Sequence, residues 1–186
     1  MFSLMMTLDT VASVNDRLAA NLDDAFPDLV RALQDGIYSG VLRMSPTPAD
    51  AEDITQDTFI RAYRALSGYS IDRIRQLELR PWVWTIAINL CRNAARTRNR
   101  RPRTVILDRD ALSPVPGPES RALDTDANAQ WRELLGSLPV AQRTGVVLRH
   151  VVGLSYREIA AATGRPEGTV KADVHRGIAR LKEALA

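Results

Sequence analysis

The chain has 186 residues, 45% of them hydrophobic, which suits one ordinary domain or two small ones and excludes a wholly disordered protein. No stretch approaches the roughly 20 apolar residues of a membrane span, and the first residues lack the basic start and apolar core of a secretion signal, so we expect a cytoplasmic protein. One cysteine and two histidines are too few for a disulfide framework or a metal site, and no phosphate loop or catalytic triad appears. We therefore expect neither a cofactor nor an enzyme.

Charge is divided unevenly along the chain. Residues 1–60 hold ten acidic and three basic side chains, about −7, whereas residues 61–186 hold twelve acidic and twenty-two basic ones, about +10. This polarity predicts a protein that meets a basic protein surface with one part and a phosphate backbone with another.

The first predicted element follows a weakly patterned N-terminal segment. Residues 1–21 are interpreted as a tail, with some helix near its end. From Leu22 a helical period begins, and Gly36 and Gly40 are candidate interruptions of it. The segment from Met44 to Pro48, with serine, threonine and two prolines, ends this helix.

A second helix is predicted over residues 50–66. Its apolar residues form an inward set, whereas Asp53, Gln56 and Asp57 share one outward edge. Three interpretations of this edge stay open: catalytic acids, a solvated acidic face, or a docking edge for arginines of a partner.

A third long helix is predicted to open at Arg80-Pro81-Trp82, with proline in its first turn. Cys91 on it is interpreted as a buried small hydrophobe rather than a nucleophile. Six arginines and no acid lie between Asn89 and Arg103, which fits either a solvated face or a surface for single-stranded nucleic acid.

The next segment, residues 104–126, is predicted to be an extended linker, because three prolines fall within five residues and no apolar period is sustained. A passive tether explains it equally well. A C-terminal domain over residues 127–186 is predicted to begin with a helix in which Trp131 anchors the core beside three leucines. Another helix starts at Pro139 and ends at Gly153.

Residues 154–181 predict a helix-turn-helix. Ser155 and Glu158 form a capping box, Gly164 supplies the positive φ that ends a short helix, and Pro166 starts the next one. The far side of the second helix carries a cationic ridge suited to a major groove: Thr169, Lys171, His175, Arg176 and Arg180.

A family resemblance rests on three strings. The residues DAEDITQDTFIRAYRAL and RPWVWTIAINLCRNAARTRNRR resemble the second conserved region of bacterial sigma factors of the extracytoplasmic-function type, and GLSYREIAAATG with EGTVK resembles the fourth. The resemblance implies an all-α protein of two small helical domains joined by a flexible linker, the second a four-helix domain with the helix-turn-helix. Their expected bounds are residues 22–103 and 127–186.

The resemblance also implies partners and site residues. The partners would be core RNA polymerase, through its beta-prime clamp and beta subunits, promoter DNA, and an anti-sigma factor as a further candidate. The implied contacts are Asp53, Gln56 and Asp57 for the polymerase; Trp82, Trp84, Asn89, Arg92 and Arg96 for the minus-ten element; and Glu167, Thr169, Lys171, Asp173, His175 and Arg176 for the minus-thirty-five element.

One departure from the family pattern affects the recognition helix. Ala172 and Asp173 follow GTVK where serine and arginine are common in the family, so an acid replaces a cationic or polar contact. Asp173 is expected either to accept from a cytosine amino group or to pair with a neighbouring arginine such as Arg176.

Two other classes share parts of this pattern. A response regulator has a similar helix-turn-helix but needs an α/β receiver domain, whereas residues 22–101 show helical periods throughout. A helical adaptor that binds only proteins is a second alternative, and it predicts no nucleic-acid affinity at all.

Overall fold

In the computed structural model, the described residues are 14–100 and 126–185, and all regular secondary structure within these two ranges is helical. Residues 14–20 form α1. The helices that follow are α2 (Leu22–Met44), α3 (Pro48–Leu66), α4 (Ile71–Gln76), α5 (Leu79–Arg100), α6 (Asp126–Gly136), α7 (Val140–Val146), α8 (Tyr156–Thr163) and α9 (Glu167–Ala184). The expected all-α fold is confirmed.

Helix α1 corrects the predicted N-terminal boundary. Val14 and Leu18 are 2% and 1% exposed and belong to the main hydrophobic core. The Asn15 amide donates to the backbone carbonyls of Ile74 and Leu77, at 2.9 Å each. The helix expected near the end of the tail is therefore present, and it packs with the first half of the molecule. The sequence did not indicate this packing, because about two helical turns give only a single apolar i, i+4 pair.

Helix α2 is continuous, so neither candidate glycine interrupts it. The side chain of Asn21 caps its start by accepting from the amides of Asp23 and Asp24. Thr47 caps α3 in the same way, accepting from the amide of Asp50 at 3.1 Å. These two helices pack together and against α5 to form the first half of the molecule.

The second half is the predicted helix-turn-helix domain. Both hydrogen bonds of the capping box between Ser155 and Glu158 are present at the start of α8, and Gly164 ends α8 with φ of 67°. Helix α7 continues into a π-helical turn, Val147–Val151. The prediction that Trp131 anchors the core is wrong, because this residue is 47% exposed. Leu135 and Leu138, two of the leucines predicted beside it, are buried.

The two halves share one hydrophobic core. Trp84 of α5 and Leu148, Leu154 and Ile159 of the second half all belong to the same buried cluster. Helix α8 packs directly on α5. The linker between the halves lies outside the described residues, except that Asp126 begins α6.

Polar contacts reinforce the packing of α8 on α5. The Arg80 guanidinium donates to the carbonyl of Val152 at 2.9 Å and lies 3.4 Å from the carboxylate of Glu158. A second ion pair joins Arg157 to Glu78 at 3.1 Å. Among the helices of the described ranges, none is long and apolar enough to cross a membrane.

Candidate nucleic-acid interface

The acidic edge of α3 is exposed. Asp53, Gln56 and Asp57 lie on the solvent side of the helix, while Ile54 and Phe59 are buried beneath it. Within the described part of the chain, none of the three polar side chains forms a hydrogen bond or an ion pair. Their oxygens therefore remain free to accept from the guanidinium groups of another protein.

Helix α5 presents the predicted cationic face. Asn89 and Arg96 are exposed and Arg92 is partly exposed, whereas Val83, Ala87 and Leu90 are buried. These exposed side chains lie on the same helix as Trp82, which is partly buried.

An aromatic and cationic stack lies beside the N-terminal part of α5. The rings of Tyr69 and Trp82 are 5.9 Å apart, and the Arg73 guanidinium lies 3.6 Å from the centre of the Tyr69 ring. Neither Tyr69 nor Arg73 is among the minus-ten contacts that the family resemblance implies. The sequence feature that could have indicated this stack is a tyrosine next to Gly68 in a segment rich in arginine.

Trp84 does not lie on this surface. It is 1% exposed, and a Cβ atom added at Gly40 would lie 2.5 Å from its ring and 2.9 Å from a methyl group of Val152. Trp84 is therefore a core residue at the contact between the two halves. The prediction that it contacts DNA fails for this arrangement because α5 is buried on two sides, by its own domain and by α8.

Helix α9 presents most of the predicted recognition face to solvent. Glu167, Lys171, His175 and Arg176 are exposed and Thr169 is partly exposed, whereas Val170 and Val174 are buried. Lys171 lies 3.0 Å from the carboxylate of Glu167, in an i, i+4 pair.

Asp173 occupies a different position from the rest of the predicted set. It is 5% exposed and pairs with two arginines, Arg165 in the turn before α9 and Arg176 one turn along it, the latter at 2.8 Å. Of the two expectations for this residue, the structure shows pairing with a neighbouring arginine. Both carboxylate oxygens of Asp173 are paired with arginines, so this carboxylate is not exposed at the surface of α9 and holds the Arg176 guanidinium in place.

The described residues contain no group of three or more histidine, cysteine or acidic side chains that could hold a metal ion. Cys91 is partly buried on α5, in agreement with its interpretation as a packing residue.

Burial raises the pKa of the Cys91 thiol to about 11, against an opposing effect of Arg143. Because the thiolate is the reactive form, a shift of about two units predicts alkylation by iodoacetamide at pH 8 roughly 100-fold slower than for an ordinary exposed thiol. The rate of alkylation should increase with pH up to about pH 11. Unfolding in urea should also increase this rate at pH 8, because it exposes the thiol. Rapid labelling of the folded chain at pH 8 would contradict the burial of this thiol.

Comparison with known families covers most of the chain. The family model described as Sigma-70 region 2 matches residues 29–101, and the model described as Sigma-70, region 4 matches residues 128–181. The ECF RNA polymerase sigma factor SigE of Mycolicibacterium smegmatis is 36% identical over 164 residues, which cover 87% of this chain and 62% of that relative. The RNA polymerase sigma-H factor of Pseudomonas aeruginosa is 30% identical over 190 residues, covering 97% of this chain and 96% of that one.

Solved structures share the fold. The sigma factor RpoE of Bartonella quintana, solved in complex with the anti-sigma factor NepR, superposes with a TM-score of 0.67 and 25% identity, covering 86% of this chain and 96% of that one. The matches to both sigma-70 regions, which together cover about two thirds of the chain, exclude a response regulator. The chain belongs to the sigma-70 family and is an RNA polymerase sigma factor of the extracytoplasmic-function (ECF) type.

Proposed function

We propose that this sigma factor divides its work among three surfaces of the chain. The acidic edge of α3 docks on the clamp of core RNA polymerase. The exposed face of α5, with the stack of Tyr69 and Arg73, holds the minus-ten element as single strand. The exposed face of α9 reads the minus-thirty-five element as duplex. The protein acts in the cytoplasm, and an anti-sigma factor is a further partner.

Free polar side chains on the acidic edge support the first assignment. Asp28 on α2, by contrast, pairs with Arg17 and Arg31. The carboxylates of Asp53 and Asp57 have no such partner within the described residues. A polymerase contact forms between molecules, so it needs side chains that are not already paired within the chain. Unpaired carboxylates beside a side-chain amide keep all their oxygens available to accept hydrogen bonds from a partner's arginines.

The composition of the α5 surface supports the second assignment. Single strands bind to surfaces that join aromatic rings, on which bases stack, to arginines, which pair with phosphates. Tyr69 and Trp82 supply the rings, and Arg92 and Arg96 supply cations along the same helix. Stacking is worth about 1–3 kcal/mol per base and tolerates any base, so Asn89 is the candidate for base selection.

Removing the charge of the acidic edge tests the polymerase contact. We expect the double variant Asp53→Asn with Asp57→Asn to lose at least tenfold in affinity for core polymerase, since two charge-assisted contacts are removed. Promoter-dependent transcription should fall in parallel. The control variant, Asp35→Asn with Glu183→Gln, removes two exposed acids from α2 and α9 and should retain both activities. Equal losses in the two double variants would refute the assignment.

Two cations on α9 carry the expected duplex contact. We expect Lys171→Ala and Arg176→Ala each to weaken binding to a minus-thirty-five duplex and to reduce the salt slope by about one. Arg176→Ala should also reduce discrimination between duplexes, because an oriented arginine can bind guanine with two hydrogen bonds. Lys182→Ala, an exposed cation in the last turn of α9, serves as the control. Unchanged affinity and salt slope in both variants would rule out this face.

A further inference from the structure

A pocket lies between the two halves of the molecule, where the end of α2 meets α6 and α7. Its volume is about 420 Å³, within the range of small-molecule sites. The residues that line it are Arg43, Met44, Ser45, Pro46, Arg132, Glu133, Gly136 and Arg143. Four of these come from the first half and four from the second, so anything bound there contacts both.

The wall of the pocket is cationic. Three arginines face one glutamate, which leaves a net charge of +2 around a small volume. Arg43 donates from one guanidinium nitrogen to the carbonyl and hydroxyl oxygens of Ser39, at 2.9 Å each. Neither Arg43 nor Arg143 forms an ion pair with an acid in the described ranges of the chain.

Burial lowers the pKa of both the Arg43 and the Arg143 guanidinium, because part of their hydration is lost. The charge of an ionised Cys91 thiolate raises the pKa of Arg143, whereas the neutral thiol does not. Two desolvated cations without a carboxylate partner are stabilised by any anion that enters between them.

Ser45 also lines the pocket, but not with its hydroxyl group. The residue is 7% exposed and its hydroxyl oxygen is shielded from solvent, so a molecule in the pocket does not reach that oxygen. The guanidinium groups of Arg43 and Arg143 are therefore the groups at the wall that can hold an anion.

We propose that this pocket binds a phosphate-bearing small molecule through the guanidinium groups of Arg43 and Arg143. Arginine forks match phosphate oxygens with two parallel hydrogen bonds. The geometry assigns the ligand a second effect. Because its contacts come from both halves, it binds their packed arrangement in preference to separated halves and stabilises that arrangement by mass action.

Pyrophosphate is a suitable probe for the full chain, titrated by calorimetry at constant ionic strength. We expect saturable binding of one molecule per chain and a higher midpoint of thermal unfolding as the probe concentration rises. Arg43→Gln and Arg143→Gln should each weaken binding at least tenfold. Arg43→Lys and Arg143→Lys keep the charge but lose the paired hydrogen bonds of the guanidinium group, so they should weaken binding less than the glutamine variants do. They keep the proposal testable if a glutamine variant does not fold.

A matched control separates this site from general attraction to a basic protein. Arg64→Gln removes the same charge from an exposed position on α3 and should leave binding unchanged. The absence of saturable binding would overturn the proposal. So would equal weakening by Arg64→Gln and Arg143→Gln, or binding that survives both pocket variants and is lost in Lys171→Ala, which would place the anion on α9. Each of these results leaves the assignments of the polymerase and promoter surfaces untouched.

Discussion

Gly40→Ala is expected to lower the free energy of unfolding by about 1–3 kcal/mol, although alanine normally stabilises a helix interior. The added Cβ atom would lie 2.5 Å from the ring of Trp84 and 2.9 Å from a methyl group of Val152. Trp84 is 1% exposed, so its ring is enclosed by other side chains and cannot turn out into solvent without opening the core. The contact between α2, α5 and the second half must therefore widen.

Gly36→Ala is the matched control for this prediction. Gly36 lies one turn earlier in the same helix, and a Cβ atom there would have no neighbour within 4 Å. This substitution should raise the free energy of unfolding by roughly 0.5–1 kcal/mol, because alanine loses less backbone entropy than glycine on folding. Urea unfolding followed by far-UV circular dichroism measures both. Stabilisation by both substitutions would show that α2 does not approach Trp84 closely.

The Gly40 contact also reports on the packing of the two halves. Val152 comes from the second half, so a shift that relieves the clash loosens the interface that Arg80 and Glu158 reinforce. Combining Gly40→Ala with Arg80→Ala should give a loss that differs from the sum of the two single losses, because both substitutions weaken the same interface. Additive losses would indicate that the clash is absorbed within the first half.

The local structure was largely predictable from the sequence. The capping box of Ser155 and Glu158 and the positive φ of Gly164 depend on residues within one or two turns, so their spacing was sufficient. The same holds for the exposure of Asp53 and Asp57, which follows from the apolar residues on the opposite side of α3.

Features that depend on which helices meet were not predictable in the same way. Trp84 is buried where α5 meets Gly40 of α2, beside Val152 of the second half, and a helical period gives no information about such covering elements. The close approach of α7 to α9 likewise depends on Gly177, where an added Cβ atom would lie 2.7 Å from a methyl group of Val146. The sequence did not indicate that the two halves share a core. The apolar residues of a helix follow the same spacing whether their own domain or the other one covers them.

Asp173→Ala is expected to lower the free energy of unfolding by about 2 kcal/mol. Asp173 is 5% exposed and bridges the turn before α9, through Arg165, to the first turns of the helix, through Arg176. Hydrogen bonds to charged groups contribute about 1.5–3 kcal/mol each, and the partial exposure of both arginines reduces this value. Asp173→Asn should lose less, because the amide oxygen still accepts from one arginine.

Glu167→Ala is the control for charge alone. It removes an acid from the same helix whose pair with Lys171 is half exposed, and pairs of this kind contribute only about 0.3–0.5 kcal/mol. Urea unfolding should therefore separate the two alanine variants clearly. Equal and small losses would show that the bridge to Arg165 and Arg176 does not stabilise the helix-turn-helix.

The same substitution has an expected consequence for DNA binding. Without Asp173, Arg165 and Arg176 are no longer neutralised or held in place, and the recognition domain gains one net positive charge. Affinity for unrelated duplexes should rise with a steeper salt dependence, since phosphate contacts depend on charge, whereas discrimination between promoter and unrelated duplexes should fall, since base contacts depend on orientation. Competition binding at two salt concentrations measures both changes. Unaltered discrimination in Asp173→Ala would mean that Arg176 is oriented by the DNA itself, and that the acid at this position serves only the stability of the turn.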